Sequence, residues 1–433
     1  ISARLEVARN ENFGPGMVRL DTRAPAFWKV AKVLKNRPKP VPPLVRPSDN
    51  LILVTPEAKA NALAEQFASA HMLGLNMPSP FEADVDDSLS FVDEAQSSIP
   101  RDNRVTTGKI HSALKRLKNM RAPGFDGIFN TLLKHLQDKA ICLLTNINRC
   151  LELGYFPSAW KCAKVVPILK PGKDPTNPVS YRPISLHPSL GKIFEGIVCG
   201  LQASVEGREH FPSDQFGFRS DHSTVHQLLR LKQYFERKKR VSKSTIVAML
   251  DVEKAFDNVW HDGLVHKLVT FGIPMYLVKF ILSYLQQRTF RVALCSTLSD
   301  SRLVSAGVPQ GSLLGPLLYI LYTADISMLP EGSRIFLFAD DIAIAAKGRS
   351  LVEMRRQVQS CLDIFVQYAA NWKIRVNVAK TPAMVVPHRL KQPLIPTWQT
   401  RLIINDFPID WTEKVRYLGL ILDRRILSHG QVE

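Results

Sequence analysis

Three carboxylates in this chain sit where charge is least expected. Asp340 and Asp341 interrupt the apolar stretch "RIFLFADDIAIAA", and Asp251 closes a second apolar run, "STIVAMLD". In an extended strand alternate side chains share a face, so Phe336, Phe338 and Asp340 point one way and Leu337, Ala339 and Asp341 the other. Only one carboxylate of the pair is then expected to face a given cleft directly. Carboxylates brought together from separate strands raise one another's pKa unless a cation neutralises them, and hard oxygen donors select Mg²⁺ or Mn²⁺. Such a site suits two-metal phosphoryl transfer, with ions about 4 Å apart, one activating a hydroxyl and the other neutralising a leaving pyrophosphate. An Asp-Asp pair is also a good hairpin turn, so the dipeptide alone does not choose.

Other residues fit a polynucleotide substrate. The chain carries 57 Lys and Arg against 39 acidic residues, a formal charge of +18, which points to nucleic acid or an anionic membrane surface. The best apolar stretch, "GPLLYILYTADISML", is interrupted by Asp325 and falls short of the roughly 20 residues a span needs, so no membrane partner is expected. In "GVPQGSLLGP" the glycines 307, 311 and 315 recur at intervals of four, and a backbone without side chains lets a base pair or template strand come close. The basic runs "KRLKNMR" and "RKKRVSK" (237–243) read as lining a nucleic-acid path or, singly, as solvated faces. The six cysteines form no C-x-x-C pair and read as reduced core thiols. The eleven histidines show no ligand spacing. Because the chain opens "ISARLEVARN", without an initiating Met or a signal-peptide pattern, it reads as an internal fragment of something longer.

The elements that must position these residues follow from pattern. Residues 1–50 form a basic, proline-studded arm. "TPEAKANALAEQFASAHML" (55–73) has Pro just inside a Thr cap and reads as a helix. Residues 76–104 are polar and acidic and are expected to be loose. A Thr-capped basic helix then runs into a Gly/Pro turn at 121–127, "AKVVPILKPGKDP" enters a hairpin, and "SLGKIFEGIVCGLQASV" is helical. Residues 244–259 begin as a strand closing on Asp251. "FRVALC" and "SRLVSAGVPQG" read as arms of another hairpin, "PLLYILYTADISML" as a helix and "RIFLFADDIAIAA" as a hairpin. Asp257 follows Phe256 at what looks like the start of a helix, where a carboxylate favours the dipole, and is taken as structural.

The order of these segments resembles the reverse transcriptases of non-LTR (LINE-type) retrotransposons, with jockey-like elements the nearest kind. "FADD" resembles the aromatic-x-Asp-Asp box, "LDVEKAFDNVWH" the first catalytic motif and "AGVPQGSLLGPLLY" the third. "SYRPISLHPSLGKIFEGIV" resembles the fingers segment, "RAPGFDGI" and "QFGFRSDHSTVHQLLRL" are also characteristic, and "NWKIRVNVAKT" and "VRYLGLILD" resemble the segments that follow the acidic box. The likeness covers about residues 105–423. It implies an α+β, right-hand polymerase fold: an N-terminal arm over 1–104, fingers over 105–243, a palm over 244–389 with an antiparallel split-βαβ sheet and helices on one side, and a primer-grip region with the start of a truncated thumb over 390–433.

The resemblance also implies roles. Asp251 and Asp340 ligate both Mg²⁺ ions (Mn²⁺ as substitute), Asp341 assists, and the Val252 carbonyl completes a shell. Lys170 and Arg182 bind the triphosphate, with Lys173 able to replace Lys170, and Arg182 suited to forked bonding. Phe256 lies beneath the sugar and disfavours a 2′-hydroxyl. Gln310 and Gly311 lie against the incoming nucleotide, Lys380 protonates the departing pyrophosphate, and Tyr417, Leu418 and Gly419 form the primer grip. The implied partners are an RNA template, a DNA primer or target and dNTPs. The implied place of action is the nucleus, after assembly of a cytoplasmic ribonucleoprotein. Endonuclease and Cys/His-rich C-terminal domains, usual in such elements, are not recognisable here. Two other readings are weighed: a group II intron-type enzyme, disfavoured by the wording of the fingers segment, and a degenerate, domesticated RNA-binding protein, disfavoured by the intact acidic trio.

Overall fold

In the computed structural model the described residues are 41–72, 79–119, 121–205, 212–236, 244–326, 330, 332–387 and 401–424. Most of the arm and the run 237–243 lie outside them. Helix α1 (Pro56–Ala68) begins as its sequence predicts: Pro56 opens the first turn and the Thr55 hydroxyl accepts from Ala58 N at 3.3 Å. Its buried stripe of Ala60, Leu63, Ala64 and Phe67 packs the segment onto a sheet described below.

Residues 82–94 are not loose. They form helix α2 (Glu82–Glu94), because Val85, Leu89 and Val92 recur at helical spacing beneath an acidic surface. Composition concealed two anchors at its start. Phe81 stacks on Trp372 at 5.2 Å, and Lys373 pairs with Glu82 at 3.0 Å, so the acidic face also has a cationic partner.

Helix α3 (Thr107–Arg116) is capped by Thr106 as expected. Strands β1 (Cys162–Leu169) and β2 (Tyr181–Leu186) make the first hairpin, antiparallel from Lys164↔Leu186 to Leu169↔Tyr181. Helix α4 (Ser189–Val205) follows, its start held by Asp126 Oδ2, which accepts from Ser189 N at 2.7 Å. Helix α5 (Thr224–Glu236) leads to strand β3 (Ser244–Asp251), helices α6 (His261–Thr270) and α7 (Met275–Leu285), and strands β4 (Arg288–Leu294) and β5 (Arg302–Val304). β4 pairs in parallel with β1 and antiparallel with β5, so one sheet joins elements distant in sequence.

The remaining elements are α8 (Leu314–Tyr322), β6 (Ser333–Phe338), β7 (Asp341–Gly348), α9 (Leu351–Asn371), β8 (Ala383–Pro387), β9 (Lys414–Tyr417) and β10 (Leu420–Asp423). The second sheet runs β8-β3-β7-β6, every neighbour antiparallel. With helices between β3 and β6 and α9 between β7 and β8, its connectivity is β-α-β-β-α-β.

Helices do not cover one side only. Ile246, Ala248 and Leu250 of β3 face the core built by α6 to α9, while Val247 and Met249 face a second core containing Leu231 and Phe235 of α5 and Val415, Tyr417 and Leu422. Covering both faces explains why β3 and β7 read as continuous apolar runs without polar alternation. Lys267 of α6 is buried between helices: its ammonium donates to Tyr322 O at 2.6 Å, reaches Asp325 Oδ1 at 2.6 Å and lies 3.8 Å from the Trp372 ring centre. Among the described residues no helix is long and apolar enough to cross a membrane.

Candidate active site

The β6–β7 hairpin turns in two residues, Ala339 and Asp340, since Phe338 pairs with Asp341. Ala339 takes φ +55°, a left-handed conformation that a non-glycine residue adopts only when its surroundings enforce it. They do. Gln215, buried, accepts through Oε1 from Ala339 N at 2.9 Å and from Gly217 N at 2.8 Å. Gly217 lies so close that a Cβ there would overlap the Ala339 amide.

This turn breaks the strict alternation expected of an uninterrupted strand. Asp341 pairs in register with Asp251, placing those two carboxylates on one face, and Asp340 lies within electrostatic reach of both. All three therefore interact. Burial, then the charges of Asp340 and Asp251, pushes Asp341 up to about 6, although it keeps a face open to solvent. Burial, followed by the Asp251 charge, raises Asp340 as well.

Beyond Asp251 the backbone is held by the segment before β8. Glu253 N donates to Arg375 O and Asn377 N to Asp251 O, both at 2.8 Å, and Val252 bridges Val376. In this arrangement the Val252 carbonyl points away from the Val376 chain, toward the side occupied by the β6–β7 turn. An oxygen-only donor set of mutually repelling carboxylates fits a hard divalent ion. Among the described residues no group of three or more His, Cys, Asp or Glu side chains is arranged to hold a metal ion as it stands.

Cations collect at the mouth of the β1–β2 hairpin. Burial, then the neighbouring charges of Arg182, Lys380, Lys173 and Lys254, lowers the Lys170 pKa. Three separated sequence positions, 170, 182 and 380, thus belong to one basic cluster, which Lys254 joins from beside Asp251. The Lys170 ammonium donates to Val179 O at 2.7 Å and so braces its loop, while Lys173 is exposed on the same turn.

Phe256 is half-buried, stacked on Tyr319 with ring centres 4.7 Å apart and edge-on to Phe218. Its turn is joined to the glycine loop: Val308 N donates to Phe256 O at 2.7 Å and Gly307 N to Val259 O at 2.8 Å. Gly307 (φ +90°) abuts Asp257 O, where a Cβ would overlap, and Gly311 (φ +83°) faces Ser185 O. Asp257 does not start a helix, since α6 begins at His261. It is buried, and its Oδ1 accepts from Gln310 Nε2 at 2.6 Å. Sequence reading missed this role because nothing in the spacing of 257 and 310 announces a contact.

Glu195 was also missed. Buried in α4, it accepts from Leu313 N at 2.7 Å and so caps the start of α8. Tyr417, Leu418 and Gly419 divide. Tyr417 is buried in the second core, its hydroxyl donating to Phe336 O at 3.4 Å. Leu418 (φ +48°) and Gly419 (φ +84°) form the β9–β10 turn.

A sheet of β-α-β-β-α-β connectivity with three acidic residues at adjoining strand ends, in a chain that also gathers a basic cluster around its β1–β2 hairpin, is the arrangement of a nucleotidyl-transferring polymerase. The family model of reverse transcriptase (RNA-dependent DNA polymerase) matches residues 168–422, and the chain belongs to that family. It is 33% identical to the RNA-directed DNA polymerase from mobile element jockey of Drosophila melanogaster over 93% of this chain and 44% of the relative. Similar matches, 33% and 32% identical, join it to the probable RNA-directed DNA polymerases from transposon BS and transposon X-element of the same species, each over 93% of this chain and 44% of the relative. The chain thus spans less than half the length of these relatives.

Proposed function

We propose that this chain is the RNA-templated DNA-polymerising module of a non-LTR retrotransposon protein, extending a DNA 3′ end along element RNA at a nicked target. The observation that carries the reading is the register that sets Asp341 across from Asp251, with Asp340 on the adjoining turn and within electrostatic reach of both. In this reading the hand has fingers over 105–243 and a palm over 244–389.

Asp251, Asp340, Asp341 and the Val252 carbonyl hold the divalent ions, which when bound activate a primer hydroxyl and neutralise pyrophosphate. Lys170 and Arg182 bind the triphosphate, Phe256 bars a 2′-hydroxyl, and Gln310 and Gly311 lie against the nucleotide. Lys380 delivers a proton to the departing pyrophosphate. Leu418 and Gly419 meet the primer, with Tyr417 supporting their turn from inside. The work is done in the nucleus after a ribonucleoprotein forms in the cytoplasm, with further domains of a longer protein supplying the nick.

Primer extension on poly(rA)/oligo(dT) with Mg²⁺, using the chain with its native flanking sequence, tests this. Incorporation of dTTP is expected, and Asp340→Ala is expected to abolish it. Full activity in Asp340→Ala overturns the site assignment; tight RNA binding without any extension favours a protein that only binds RNA.

A further inference from the structure

The loop bearing Gln310 is held by four side chains from three separate parts of the chain. His71 Nδ1 meets Ala306 O at 3.2 Å, His261 Nε2 meets Gly307 O at 2.7 Å, and His187 Nε2 meets Gln310 O at 3.1 Å. A carbonyl only accepts, so each of these ring nitrogens carries a hydrogen. For His187 the tautomer agrees with its other contact, since Arg288 donates to Nδ1 at 3.3 Å. The Ser305 hydroxyl returns a bond to His71 O at 2.7 Å. His71 lies outside residues 168–422, so the segment preceding the family match takes part in shaping the loop.

The fourth contact is to the functional side chain itself. Asp257 Oδ1 takes the hydrogen of Gln310 Nε2 at 2.6 Å, and the backbone of the same turn is zipped to the loop at Gly307 and Val308. A carboxamide has one donating and one accepting end. With one N–H held by Asp257, the carboxamide is fixed and its oxygen is directed away from that carboxylate. Burial raises the Asp257 pKa, while His71, the Gln310 bond and Lys254 oppose that rise.

Resting on the reading of Gln310 as a nucleotide contact, we propose that Asp257 is a positioning residue that locks the Gln310 carboxamide with its oxygen toward the incoming nucleotide. An oxygen there repels the triphosphate, all of whose exposed atoms are acceptors, and accepts from a hydroxyl or amine. The sugar and base supply those donors. The lock therefore orients the nucleotide, sugar and base inward and phosphates toward Lys170 and Arg182.

The test is steady-state incorporation of dTTP on poly(rA)/oligo(dT) by the chain with its native flanking sequence, in five forms. Asp257→Leu removes the acceptor and leaves the Gln310 carboxamide free to turn, and the KM for dTTP is expected to rise about tenfold with kcat within about threefold. Asp257→Asn keeps an acceptor in its amide oxygen and is expected to stay within about threefold of wild type. Gln310→Glu opposes two carboxylates and raises KM about tenfold. In the double variant Asp257→Asn with Gln310→Glu the amide introduced at position 257 donates to the carboxylate introduced at position 310. An oxygen again faces the nucleotide, so KM is expected to return to within about threefold of wild type. A merely structural Asp257 predicts no such rescue. Wild-type KM in Asp257→Leu, or a double variant no better than Gln310→Glu, overturns the proposal. An inactive wild type instead sinks the polymerase reading. In that case thermal unfolding of wild type, Asp257→Asn, Gln310→Glu and the double variant decides the lock, and additive melting shifts overturn it.

Discussion

Asp341 stands directly across from Asp251 in antiparallel register, two carboxylates on one face at the end of a strand pair whose middle, Ile246–Leu250 against Ile342–Ala346, is apolar. A folded chain adopting this pairing accepts repulsion that any apolar substitution would remove. Mutual repulsion of this kind has physical consequences that can be measured.

Asp341→Asn is expected to raise the melting temperature of the metal-free chain at pH 8, while cutting polymerisation at least a hundredfold. The sign follows from its pKa of about 6 in the fold against 3.8 unperturbed: stability present below about 4 is lost as pH rises through 6. Adding Mg²⁺ should raise the melting temperature of wild type more than that of Asp341→Asn. Calorimetry with and without the ion checks both, and equal ion-induced shifts would contradict the ligand role.

Gln215→Leu removes the acceptor that holds Ala339 N and Gly217 N. Leaving buried amides without partners costs about 1–3 kcal/mol. Because the turn carries Asp340, kcat should fall more than the KM for dNTP changes. Denaturant unfolding and steady-state kinetics read the two effects separately.

His187 is buried beside Arg288, and burial followed by that cation lowers its pKa to about 3. The folded chain binds this proton less well than the unfolded one, so stability present above about 6.5 is lost as pH falls toward 3. In His187→Gln the decline of melting temperature between pH 6.5 and 4 should be shallower than in wild type. A parallel decline would show that other groups govern acid unfolding.

Lys267→Met is expected to destabilise the chain by about 1–3 kcal/mol, since Tyr322 O loses a buried donor and the Tyr368 hydroxyl a partner. Burial brings the Lys267 pKa down to about 8, so the folded wild type sheds this proton before the unfolded chain does. Wild type should therefore gain stability relative to Lys267→Met as pH rises from about 8 toward 10.5. Urea titrations of both proteins at pH 7.5 and 10 measure the difference.

The residues of the candidate site and several of the elements that carry them could be picked out in the sequence. Asp251, Asp340 and Asp341 stand out because charge inside apolar runs is rare, and the β6–β7 hairpin, α1 with its Thr55 cap and the β1–β2 hairpin each follow from periodicity and local turn chemistry. What misled was composition averaged over a window. Residues 82–94 look polar, yet Val85, Leu89 and Val92 suffice to seat a helix against α6.

The covalent sequence by itself determined which residues could bear charge, turn or strand, because those tendencies act over a few neighbours. Only tertiary structure decided that Ala339 would turn left-handed under Gln215 and bring both aspartates to Asp251, that Asp257 would hold Gln310, and that Tyr417 would point inward beneath Phe336. Those pairings join residues from about fifty to more than a hundred positions apart. Their energies depend on excluded water and close packing, which no local pattern encodes.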